Sequence, residues 1–272
     1  MMTSLLPDKF IFTQSNLQTY VNCKHQFYLR YSQHFLWPSP ASKDVLVFER
    51  DRQAGSRFHQ LAHQLLLGLP AGNLARSAEN DPDPRVQHWF EMFTRTVYRN
   101  LSGILFPEYT LTAKPGGIIL SAKYDLLQEE NGTYTIYDWK SSRKKPSKSW
   151  LEAQMQSKVF PLVLSLQPEI SAGSPERRIR MVYWEVTEPE QPVVLEFGFG
   201  KLEQDRSEIC ELASQIQLSL PQDFEKTEDV QRCRYCVYRS YCNRPVEPAS
   251  MEAYLSQEYL AAEEEEELLN GD

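Results

Sequence analysis

The chain has 272 residues, 41% of them hydrophobic and 12% aromatic, which excludes a wholly disordered protein and suits one elaborated globular domain or two small ones. Its net charge of −8 argues against a uniformly basic nucleic-acid binder, yet 251–272 hold eight acidic and no basic residues, and without them 29 acidic face 29 basic residues, leaving room for a local basic groove. No apolar run reaches the roughly 18 residues of a membrane span, and the start MMTSLLPDKFIF lacks the basic flank and long apolar stretch of a signal peptide, so the expectation is a cytoplasmic protein with no membrane partner.

From the amino terminus, Leu17, Tyr20, Val21, Phe27, Tyr28 and Tyr31 follow helical spacing, predicting a helix over 13–31 with Thr13 or Ser15 as N-cap and Cys23 inside it. A second helix is expected over 52–67, a loop over the Pro/Gly/Asn/Asp-rich stretch 68–84, and a third helix over 86–101. The period then changes. Stretches 104–113, 117–128 and 133–139 are rich in Tyr, Ile, Leu and Thr, with Gly116-Gly117 and Asn131-Gly132 between them, and read as an antiparallel meander. A helix over 148–166, strands over 178–186 and 193–199 and a helix over 202–218 complete an α/β chain with a mixed sheet. We expect a principal domain over 1–246 and an acidic tail over 247–272.

Asp138 and Lys140 close the third strand of the meander, and the two-residue period of a strand puts both side chains on one face. Asp125 lies on the preceding strand, across the Asn131-Gly132 turn, so a hairpin brings its carboxylate toward Asp138. Two hard oxygen ligands with open positions suit Mg²⁺ or Mn²⁺, which holds a phosphate and lowers the pKa of an attacking water. Lys140 would orient that water or offset charge on the phosphorane. An Asp-x-Lys at a strand end is by itself also a common surface feature.

The surroundings of this pair resemble the RecB-like branch of the PD-(D/E)XK nucleases. That branch carries a Glu, then a small residue followed by an Asp, then Asp-x-Lys, then a helix with Gln and an aromatic four residues later. Here these read Glu108, Ser121-Ala122-Lys123-Tyr124-Asp125, Asp138-Trp139-Lys140, and Gln156 with Phe160. Phe160 stands where family members usually have Tyr, and Gln154 is an alternative to Gln156. Gly55-Ser56-Arg57-Phe58-His59 matches the upstream helix whose His adds a metal ligand, with His63 one turn later as the alternative. The resemblance implies a restriction-endonuclease-like sheet flanked by helices, Asp125, Asp138, Lys140 and Gln156 as catalytic residues, and His59, Asp125 and Asp138 as ligands of Mg²⁺ or Mn²⁺.

Five cysteines in a reducing compartment are poor disulfide candidates, and Cys233-x2-Cys236-x5-Cys242 concentrates three of them in the basic stretch 228–245. Three thiolates are one fewer than tetrahedral zinc or a cubane requires. The segment Ser15-x7-Cys23, followed by Lys24-His25-Gln26-Phe27-Tyr28, is similar to the amino-terminal helix of nucleases with an iron-sulfur clasp, among them the AddB subunit of bacterial recombination complexes and the CRISPR-associated exonucleases. This implies a [4Fe–4S] cluster on Cys23, Cys233, Cys236 and Cys242, joining the first helix to the carboxy-terminal segment; zinc in the same four thiolates is the alternative. Cys210 is left over and reads as a small buried hydrophobe.

Arg143, Lys144 and Lys145 follow the catalytic strand, and Arg232, Arg234, Arg239 and Arg244 interleave with Tyr235, Tyr238 and Tyr241, a pattern suited to phosphates and unpaired bases. The expected function is therefore a metal-dependent DNA nuclease, a single-strand exonuclease in DNA repair, recombination or CRISPR-related processing. No helicase signature is present, so unwinding would fall to a helicase, recombination or CRISPR partner. The alternatives are a non-catalytic DNA-binding or recombination subunit that keeps the clasp, against which Asp125, Asp138 and Lys140 speak, and a zinc-stapled interaction module.

Overall fold

The computed structural model describes residues 5–7, 9–35, 43–141, 145–171, 178–234 and 236–247. After the short strand Ile11–Phe12 (β1), Thr13 starts helix Gln14–Asn22 (α1) with a reciprocal cap: its hydroxyl accepts from Asn16 N–H at 3.3 Å, and its own N–H donates to Asn16 Oδ1 at 3.0 Å. The expected single helix over 13–31 breaks at Cys23, which is extended (φ −162, ψ 108), before Lys24–Phe27 (α2) restarts and runs into a π-helical turn, Tyr28–Ser32. The restart is held from afar, since His25 N–H donates to the Glu225 carbonyl at 3.1 Å and His25 Nδ1 lies 3.1 Å from that of Phe224.

Helix Lys43–Leu66 (α3) begins earlier than its periodicity indicated. The stretch expected to be a loop contains helix Ala71–Glu79 (α4), because Leu74 and Ala78, one turn apart, are buried on the neighbouring helices. Helix Pro84–Thr96 (α5) opens on an Asp83 cap with proline at its first position. Phe58 of α3 and Phe93 of α5 pack against Trp139 and Trp184 on one face of the sheet, Phe93 meeting Trp139 edge-on at 4.8 Å.

The meander comprises Ile104–Ala113 (β2), Ile119–Glu130 (β3) and Thr133–Lys140 (β4), and both turn residues, Asn131 (φ 51) and Gly132 (φ 77), take the left-handed conformation of a tight hairpin. The expected helix over 148–166 is two, Lys148–Ala153 (α6) and Met155–Ser165 (α7), parted by extended Gln154, and a short helix Pro168–Ser171 (α8) follows. Strand Arg178–Glu185 (β5) lies parallel to β4, strand Val193–Phe197 (β6) antiparallel to β5, and helix Phe199–Leu218 (α9) packs on α7. The result is a mixed sheet in the order β1-β3-β4-β5-β6, with β2 on the other edge of β3. Helices α1, α7 and α9 cover one face and α3 with α5 the other. No described helix is long and apolar enough to cross a membrane.

Sheet pairing opens the site. One edge of β3 is taken by β2 along its length, while the other is shared, β1 pairing at Ile119–Leu120 and β4 only from Leu126 onward. Strands β3 and β4 therefore diverge just before Leu126, where Asp125 stands.

Candidate active site

At that divergence the alternation of β3 breaks. Tyr124 and Leu127 face the first core, whereas Leu126 enters the second and Asp125 turns to α3, its Oδ1 lying 3.4 Å from His59 Nδ1. The gap between strands leaves Trp139 N–H without a ladder partner, and it donates instead to Asp125 Oδ2 at 2.8 Å, fixing the carboxylate. Across the sheet, the register places Glu108 opposite Asp125, and Glu108 has φ 50, a left-handed conformation costly for a residue with a side chain. Its carboxylate meets Lys123 at 2.5 Å. Donor atoms of His59, Glu108 and Asp125 all lie within 4.8 Å of one another, the one such set of three or more His, Cys, Asp or Glu side chains among the described residues.

Asp138 is 1% exposed, beside this set rather than in it. Its Oδ1 accepts from Gln156 Nε2 at 2.7 Å, and Lys140 Nζ lies 2.9 Å from Oδ2. That ion pair is not aligned as a hydrogen bond, so Oδ2 is buried without a hydrogen-bond donor among the described residues. Gln154 turns elsewhere, to the Trp150 carbonyl at 3.1 Å. Burial, opposed by Lys140 and assisted by the Asp125 charge, pushes the Asp138 carboxyl up to about 6. Burial also works to raise Asp125, but the facing His59, the Trp139 N–H and Lys140 together hold it below its ordinary value. The two carboxyls are thus driven apart.

Other residues support this arrangement, Gly55 and Phe160 from the motifs and Gln18 and Glu185 beyond them. Gly55 lies where α3 passes the chain leaving β4, and a Cβ there would sit 2.6 Å from Ser141 Oγ. Gln18 of α1 accepts from Met155 N–H at 2.9 Å, securing the first turn of α7 one residue before Gln156. Glu185, 1% exposed, pairs in register with Lys140. Phe160 packs edge-on against Tyr124, whose hydroxyl donates to the Phe160 carbonyl at 3.0 Å. Among the expected phosphate contacts, Lys145 is engaged by Glu188 at 3.0 Å and the Gln191 carbonyl at 2.7 Å, and Arg143 and Lys144 lie outside the described residues, as do Tyr235 and residues 248–272 of the acidic tail.

Cys23, Cys233, Cys236 and Cys242 line one pocket, with Lys226, Arg239 and Arg244 among its other walls. The extended corner at Cys23 supplies the first thiol and a tight turn at Arg232–Arg234 the second. The chain ends are also tied directly: Arg232 Nη1 donates to Asn22 Oδ1 at 2.6 Å, and the Tyr238 hydroxyl to the Phe35 carbonyl at 2.9 Å. Burial raises the thiols of Cys233, Cys236 and Cys242, Cys236 to about 12, and neighbouring cysteine charges add to this. Arg244 opposes the shift at Cys233 and Lys226 at Cys242. Cys210 is elsewhere, against the Gly116 turn.

Residues 11–243 match the sequence family described as the PD-(D/E)XK nuclease superfamily. No curated protein matches the chain. Among solved structures it is similar to a protein from Eubacterium rectale described as a "Putative exonuclease" (12% identity, TM-score 0.49, covering 90% of this chain and 93% of that one). It is also similar to SSO0001 (13% identity, TM-score 0.41, covering 89% and 90%).

Proposed function

Since the chain belongs to the PD-(D/E)XK nuclease superfamily, we propose that it is a divalent-metal-dependent DNA nuclease, working as an exonuclease on single strands, and that its four cysteines hold a [4Fe–4S] cluster. The observation that carries the reading is the convergence at the β3–β4 divergence of His59, Glu108, Asp125, Asp138, Lys140 and Gln156, drawn from five separate elements. Carboxylate oxygens and an imidazole nitrogen are donors that Mg²⁺ and Mn²⁺ accept, and the buried Asp138 Oδ2 without a hydrogen-bond donor is a further one, so the residues fit such an ion. When bound, the ion polarises a phosphoryl oxygen and acidifies water.

The side chains have separable tasks. His59, Asp125 and Asp138 hold the ion, with Glu108 joining them; Trp139 N–H orients Asp125, and Gln156 orients Asp138. Lys140, kept in place by Asp138, sets a positive charge where the phosphate gains negative charge in the transition state. We expect His59→Ala to raise the Mn²⁺ concentration for half-maximal cleavage about tenfold or more. Lys140→Ala should instead depress the rate at saturating Mn²⁺ about a hundredfold. Metal titrations of the cleavage rate for both variants test the assignment, and a Lys140 variant rescued by extra Mn²⁺ would contradict it.

Asp138 also predicts a pH effect. Its raised pKa means that the folded protein holds this proton more tightly than the unfolded chain, so the stability from this group is complete below 3.8 and lost as pH rises through about 6. A divalent ion relieves the ionised form. Mn²⁺ should therefore raise the Tm at pH 8 and progressively less toward pH 5, measured by scanning calorimetry; an equal shift at both pH values would count against Asp138 as a ligand.

For the cysteines, the alternative occupant is zinc. All four cysteines line one pocket, four thiolates being what either group requires, and the family resemblance favours the iron-sulfur cluster. The preference for single strands rests on the neighbouring surface, where Tyr241, 48% exposed, lies against Phe35 in a segment rich in arginine, a surface on which unpaired bases stack. Service in repair, recombination or CRISPR-related processing beside a helicase follows from the family resemblance alone.

A further inference from the structure

The cysteine pocket contains a feature that neither ligation nor packing uses. Arg244 is anchored by Nη2, which donates to the Thr227 carbonyl at 2.5 Å, and its guanidinium lines the pocket against Cys233. Its Nε is buried and has no acceptor among the described residues. Leaving a buried guanidinium N–H without an acceptor forfeits its hydration with nothing in return, so its position calls for a partner. Two further cations share the pocket: Lys226, whose ammonium donates to the Cys242 carbonyl at 2.8 Å, and Arg239. Four thiolates outweigh the positive charge of an iron-sulfur core, so the loaded site is anionic, and this cationic wall complements it. Hydrogen bonds and charges beside the sulfurs set both the retention and the reduction potential of such clusters.

We propose that Arg244 is a positioning residue of the cluster site, donating a hydrogen bond to the Cys233 thiolate and compensating the charge of the loaded site. This rests on the iron-sulfur reading above. Removing the donor disfavours the reduced, more negative state, so the midpoint potential falls.

The test uses the full chain, purified anaerobically, with iron and sulfide analysis and a spectroscopically monitored redox titration of wild type, Arg244→Gln and Arg244→Lys. The expected result is a midpoint for Arg244→Gln lowered by a factor of about ten in the reduction equilibrium, about 59 mV for one electron, together with several-fold faster loss of iron to a chelator. Arg244→Lys retains the charge without the Nε donor and should shift the midpoint in the same direction by less. If Arg244→Gln does not fold, Arg244→Lys carries the test alone. A folded variant with full iron and sulfide and the wild-type midpoint would overturn the proposal. Wild type carrying zinc instead of iron and sulfide would overturn the cluster reading itself, which separates the two failures.

Discussion

Asparagine at position 138 should abolish cleavage, with a loss of about a thousandfold or more, roughly 4 kcal/mol of barrier, while leaving the fold intact. Asp138 touches each part of the proposed machinery: Gln156 on Oδ1, Lys140 beside Oδ2, and the charge of Asp125 nearby. Asparagine keeps the shape and an acceptor for Gln156 but removes the charge that offsets Lys140 and attracts a cation. The fold should tolerate this, because burial raises the Asp138 carboxyl even with Lys140 beside it, so the folded protein favours the neutral form, which asparagine approximates. Single-turnover cleavage rates, with circular dichroism and Tm in parallel, provide the check. Lost activity with a Tm within a few degrees of wild type is the predicted pattern, whereas a collapsed Tm would show Asp138 to be chiefly structural.

Serine in place of Cys236 should lower the Tm by more than about 10 °C and abolish iron and sulfide incorporation. Joining Cys23 to the 233–242 segment closes a loop of about two hundred residues, and the chain-entropy estimate for a cross-link of that span is about 5 kcal/mol. For a chain of this size each kcal/mol moves Tm by about 2–4 °C. Cys236 is the informative position because burial holds its thiol up to about 12, so it ionises near neutrality only with a cation in place, and loading should release protons. The direct ties between the chain ends, Arg232 with Asn22 and Tyr238 with Phe35, remain in the variant, so the sheet and its helices should persist at lower temperature. Calorimetry and metal analysis of the anaerobically purified variant decide the matter; an unchanged Tm would remove the clasp from the stability of the fold.

Much of this was legible in the sequence where local chemistry dictates local structure. Asn131-Gly132 specifies the hairpin that brings β3 and β4 together, and strand alternation places Asp138 and Lys140 on one face, as the structure has them. What escaped were single-residue departures imposed from a distance. Nothing near Cys23 signals a corner, which forms because the restarted helix is bound by residues 224 and 225. The break at Gln154 likewise depends on Gln18, whose side chain takes the Met155 N–H. The Gly- and Asn-rich composition around α4 obscured the Leu74–Ala78 spacing that makes it helical. The strained Glu108 and the doubled turn of Asp125 and Leu126 toward α3 appear only once β2 and β3 are paired, and they draw Glu108 to His59 and Asp125 while Asp138 stands alongside.

The most direct test of the account is anaerobic digestion of a single-stranded oligonucleotide labelled at either end, with Mg²⁺ or Mn²⁺ and again with the ion chelated. Wild type should shorten the strand progressively from one end when the ion is present and leave it intact when it is not. Folded, iron-loaded protein that leaves the strand intact with either ion, or that cuts equally well in chelator, would contradict it.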